Sequence, residues 1–95
     1  MPKATARYRT ENGRKYLVQL CKHFAHKIEV DYTEEKGRCE LPPGPAEMFA
    51  DDEGITFVVS AEDEERLDKV KDVITSHLAR FAFREKLEKL DWTAA

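Results

Sequence analysis

The stretch GRKYLVQLCKHFAHKIEVDYT, residues 13–33, changes its hydrophobic period partway along, and that change decides the fold class. From Tyr16 the apolar positions are Leu17, Leu20, Cys21, Phe24 and Ile28, separated by steps of three, one, three and four. Those steps mark one face of an α-helix and predict a helix over residues 13–27. On the same wheel Lys15, Gln19, Lys22 and His26 fall on the outer face, and His23 on the flank. From Ile28 the period becomes two: Ile28, Val30 and Tyr32 alternate with Glu29, Asp31 and Thr33, as in a half-buried strand. A helix that runs straight into an alternating strand points to an α+β domain.

Outward from that stretch, residues 4–9 (ATARYR) alternate and read as an edge strand, with Asn12-Gly13 as a turn or cap. On the other side Glu34-Glu35-Lys36-Gly37 reads as a hairpin turn, and Cys39 and Leu41 continue the alternation on the return strand. Pro42-Pro43-Gly44-Pro45 breaks the sheet, because prolines bring no backbone donor to a ladder. Residues 46–50 form a short strand, Asp51-Asp52-Glu53-Gly54 turns the chain, and Ile55, Phe57 and Val59 alternate in a last strand. Ser60 with Asp63 resembles a capping box. The stripe Leu67, Val70, Ile74, His77, Leu78 and Phe81 then marks a second helix over 62–82. A single helix over 62–90 would run about 44 Å at 1.5 Å per residue, too long for so small a domain. The tail therefore bends back, with Trp92 as its anchor, or projects toward a partner. The expected architecture is an antiparallel sheet of about four strands with both helices on one face.

The chain has 95 residues and is expected to form a single domain over 1–95; a barrel or doubly wound enzyme needs about 150–250 residues. Sixteen Lys/Arg against nineteen Asp/Glu give −3, unevenly spread. Residues 1–27 carry seven basic groups and one Glu, net +6, and residues 28–95 carry nine against eighteen, net −9. The two halves either attract each other in the fold or leave a basic binding face on the first. Hydrophobic residues at 41% exclude a disordered segment, and no apolar run approaches the roughly 20 residues of a bilayer span. MPKATARYRT lacks the apolar centre of a signal peptide, so a cytoplasmic protein is expected. Cys21 and Cys39, without a CxxC pattern, then read as free, buried thiols.

Three histidines supply the groups that titrate near neutrality. His23 and His26, three apart on the first helix, face roughly one way and form a candidate two-ligand metal site; Cys21 faces the core and cannot join them. The competing reading is an ordinary helix end, where His and Lys complement the dipole. His77 falls inside an apolar stripe and reads as a core histidine bonded to a carbonyl or carboxylate. Arg80, Arg84 and Glu85 follow it. HLARFAFRE reads either as an internal salt-bridge network or as an anion site built from His77, Arg80 and Arg84. No Walker loop, GxGxxG, HExxH, GxSxG, EF-hand or zinc-finger spacing is present, and no cofactor is implied. The acidic net charge argues against nucleic acid as a partner.

LCKHFAHK (20–27) and HLARFAFRE (77–85) resemble the signature of a small bacterial family of unknown function. The resemblance runs over nearly the whole chain and includes Thr5-Ala6-Arg7, Asn12-Gly13 with Tyr16-Leu17, and Trp92. It implies a compact α+β domain and no established activity. Some relatives are labelled dihydroxyheptenedioate aldolases; that class is a metal-dependent barrel, so the label is read as a mistaken transfer. Relatives encoded near siderophore and iron-uptake genes imply a metal or siderophore link. The expected function is a non-enzymatic binding or accessory domain for a small anionic or metal-containing ligand or a protein partner. One alternative is a small enzyme using His23 or His77 as general base. The other is a homodimer module through Ala79, Phe83, Leu87 and Leu90, the second apolar set on the last helix.

Overall fold

The structure, a computed structural model, describes residues 1–95 except Lys86 and Glu88. The chain runs β1 (Lys3–Arg9), α1 (Gly13–Phe24), β2 (Val30–Tyr32), β3 (Lys36–Cys39), β4 (Ala46–Ala50), β5 (Gly54–Ser60), α2 (Glu64–Phe81), a 3-10 turn (Phe83–Glu85) and β6 (Thr93–Ala94). The strands form one antiparallel sheet in the order β2-β3-β4-β5-β1-β6. The α+β class and the antiparallel sheet are as expected, but the sheet has six strands where about four were predicted. No helix among the described residues is long and apolar enough to cross a membrane.

Alternation along each strand sorts the sheet into a dry and a wet face. In register, Ala6, Phe57, Met48 and Gly37 lie side by side on the dry face, and all four are buried. Thr56, Val58, Glu47, Arg38 and Arg7 point to the other side and keep contact with water. Only one face is dry, so both helices cover it. α1 buries Tyr16, Leu17, Leu20, Cys21 and Phe24, the stripe read from the sequence, and α2 buries Leu67, Val70, Ile74 and Leu78.

Several boundaries differ from expectation. α1 ends at Phe24 rather than at 27, leaving His26 beyond it. Ser60 is drawn into β5 by pairing with Lys3, and Asp63 alone caps α2, its Oδ1 accepting from Arg66 N at 2.8 Å. α2 ends at Phe81, and after Ala82 the chain turns back, the first of the two courses expected for the tail. Leu90 is buried, Leu87 is half-buried against the core, and Trp92 Nε1 donates to Thr75 Oγ1 at 3.1 Å. β6 then pairs with β1, so β1 is not the sheet edge that its sequence suggested. Of the strip expected to meet a second copy, Phe83 stays 67% exposed; the charged residues Lys86 and Glu88 beside that strip lie outside the described residues. The charge asymmetry is met inside the fold, because Arg7 pairs with Asp51 and Arg14 with Asp52.

Candidate functional site

α1 and α2 lie side by side on the sheet, and their last turns bring four rings together. His23 and His77 stand 5.0 Å apart between ring centroids. Phe24 lies 5.0 Å from His77, and Phe81 lies 6.0 Å from His23. Phe24 is buried and faces the core, so the two imidazoles sit on the outer rim of that core, His23 exposed and His77 half-buried. His77 is held as its stripe position suggested: its Nδ1 lies 2.7 Å from the Val73 carbonyl oxygen. A carbonyl can only accept, so Nδ1 carries the proton of the neutral ring and Nε2 keeps its lone pair.

The charges around His23 are of one sign. Partial desolvation against its neighbours, then the positive charges of His77, Arg80, His26 and Lys27, hold its imidazole below the usual histidine range. Among the described residues, no ion pair engages Lys22, Lys27 or Arg80. The rim therefore offers two imidazoles inside a positive field, a setting that favours an anion over a bare cation. Among the described residues, no three His, Cys, Asp or Glu side chains are grouped for a metal ion.

The remaining predicted residues separate. Arg84 is exposed, its guanidinium 5.7 Å from the centre of the Phe83 ring. Glu85 does not join an ion-pair network with Arg80 or Arg84 among the described residues, contrary to the internal salt bridges that HLARFAFRE suggested. The chain leaves the helix at Ala82, and the turn carries the Glu85 carboxylate to the corner between β1 and α1. There Tyr8 Oη donates to Oε1 at 2.8 Å, Asn12 Nδ2 donates to Oε2 at 3.2 Å, and Tyr16 Oη donates to Oε2. Partial burial works to raise the carboxyl, but donors from Tyr16, Tyr8, Thr10 and Asn12 outweigh it and hold Glu85 below the usual carboxylate range. Burial first, and then donation to Glu85, push both tyrosines up to about 12.

Sequence reasoning missed Tyr8, Asn12 and Tyr16 as a set. The one signal was that Asn12 and Tyr16 belong to one resemblance motif and Glu85 to another. With its oxygens taken by these donors, Glu85 is a structural latch; the open chemistry lies at the histidine rim.

The chain matches, over residues 5–93, the model of a family described as "Uncharacterized protein conserved in bacteria (DUF2218)". A solved NMR structure, that of PA4090 from Pseudomonas aeruginosa, is 33% identical in sequence. The match covers 98% of this chain and 96% of that one, with a TM-score of 0.82. No curated protein matches.

Proposed function

Given that this chain belongs to that uncharacterised family conserved in bacteria, we propose that it is a non-enzymatic binding domain whose ligand is a small anion, held at the rim where His23 and His77 meet. The observation that carries this reading is the imidazole pair, 5.0 Å apart, with His26, Lys27 and Arg80 as its charged neighbours. His77 Nε2 and the His23 ring supply directional contacts, and Arg80 supplies charge and a planar donor fork. An anionic metal chelate such as a ferric siderophore satisfies the same chemistry. In this reading the protein works in the cytoplasm, where two free, buried thiols are the ordinary state.

The rival is an enzyme with His23 or His77 as general base. Catalysis needs polar groups converging in a concavity that excludes water. The groove of about 430 Å³ at the β2–β3 hairpin and that of about 420 Å³ at Pro42–Pro45 contain none of the three histidines. Calorimetric titration with inorganic phosphate, citrate and ferric citrate tests the proposal. Binding that Arg80→Ala weakens by about tenfold, the usual worth of one charge-assisted contact, supports it. Binding of Zn²⁺ without any anion response would contradict it.

A further inference from the structure

Cys21 and Cys39 take no part in the histidine rim, and both are fully buried. They come from different elements, Cys21 from the inner face of α1 and Cys39 from the end of β3. Buried cysteines are ordinarily small inert hydrophobes. This pair differs because a hollow in the sheet seats one thiol beside the other. Gly37 lies two residues before Cys39 on the same face of β3, and a Cβ there would stand only 2.8 Å from Cys21 Sγ. The missing side chain at Gly37 is what lets the Cys21 sulfur rest on β3, one step along the strand from Cys39. The two thiols lie close enough to shift each other's ionisation, Cys21 down and Cys39 up.

We propose that Cys21 and Cys39 form an oxidisable dithiol, which a hydroperoxide converts to an intramolecular disulfide joining α1 to β3. The Cys21 sulfur attacks the peroxide O–O bond, giving a sulfenic acid and releasing an alcohol, or water when the oxidant is hydrogen peroxide. The Cys39 sulfur then attacks the sulfenic sulfur, the S–S bond forms, and the hydroxyl leaves with the Cys39 proton as water. Two thiols lose two electrons and two protons, and the peroxide takes them up. The order of attack follows the coupling of the pair: interaction with Cys39 draws Cys21 toward the thiolate, while interaction with Cys21, and then burial, push the Cys39 thiol up. The oxidant enters by local opening at the sheet edge, where β2 is three residues long and only β3 holds it in the sheet.

The test equilibrates the reduced full-length chain in glutathione buffers of graded ratio, with and without urea, and counts the remaining thiols by maleimide trapping. The native chain is expected to lose both thiols together, with a mass fall of two hydrogens, no glutathione adduct, and a linked Cys21–Cys39 peptide pair on digestion. The disulfide should form at a glutathione-disulfide proportion about tenfold lower than in urea, because the fold already holds the sulfurs together. The oxidised form should show a raised Tm. Hydrogen peroxide should yield the same species, and Cys39→Ser should instead accumulate a dimedone-reactive sulfenic acid at Cys21. Thiols that react only in urea, or that take up glutathione independently, would overturn the proposal. If Cys39→Ser does not fold, the wild-type equilibrium decides alone.

Discussion

Replacing Glu85 with Ala removes the acceptor shared by Tyr8, Asn12 and Tyr16. Hydrogen bonds to a charged group contribute about 1.5–3 kcal/mol each when sheltered from water. Tyr16 is 4% exposed and takes the lower end of that range, about 1.5 kcal/mol. The bonds from Tyr8 and Asn12 lie at the surface and contribute about 0.5 kcal/mol apiece. The expected loss is about 2.5 kcal/mol, and at about 4–8 °C per kcal/mol for a domain of this size the Tm falls by about 10–20 °C. Thermal unfolding followed by circular dichroism measures it. A double-mutant cycle with Tyr16→Phe should show a coupling of about 1.5 kcal/mol, since either change alone removes the same bond. A Tm fall under about 3 °C, or additive single-mutant effects, would refute the latch.

The same corner sets a pH response. Glu85 is depressed in the fold, so its contribution is present above the unfolded carboxylate value of about 4.3 and is lost as pH falls through the lower, folded value. The Tm gap between wild type and Glu85→Ala should therefore close in acid. Tyr8 and Tyr16 are raised, so their contribution holds below pH of about 10 and is lost as pH rises through about 12; ultraviolet titration should find Tyr8 and Tyr16 ionising late. Gly37→Ala places a Cβ 2.8 Å from Cys21 Sγ and 3.3 Å from Tyr32 Cβ, an overpacking that costs about 1–3 kcal/mol. Adding Cys21→Ala should recover part of that loss in chemical denaturation, and no recovery would mean that the clash lies elsewhere. Phe83→Asp should leave the Tm within about 2 °C, because the side chain is 67% exposed. The homodimer centred on Phe83 is a separate proposal; it expects the same variant instead to lower the Tm and halve the mass seen by light scattering.

The period change at Ile28 was enough to place α1 beside an alternating strand, because burial on one face imposes the step pattern directly. β6 was invisible: Thr93-Ala94 is two residues without alternation, and its pairing is supplied by the open edge of β1. The last helix misled for a related reason. Wheel positions for Phe83, Leu87 and Leu90 assume a helix that in fact ends at Phe81, so their directions could not be projected from its stripe. Glu85 failed the same way, and its three donors lie 69 to 77 residues off in sequence, beyond any local pattern. His77 was legible because it stays inside α2, where the carbonyl of Val73 four residues earlier is the natural acceptor. That His23 would face His77 depends on how the two helices pack, which no spacing within either helix encodes.

The central claim is that His23 and His77 form one anion-binding rim. Its most direct test is an NMR titration of the three imidazoles against pH, with and without inorganic phosphate. Without phosphate, His23 should titrate below the usual histidine range, because desolvation against its neighbours, and then their positive charges, disfavour the imidazolium. Phosphate should move the His23 and His77 ring signals together and raise the His23 midpoint, since a bound anion favours the imidazolium. A His23 midpoint unchanged by phosphate, with unmoved His77 signals, would contradict the account.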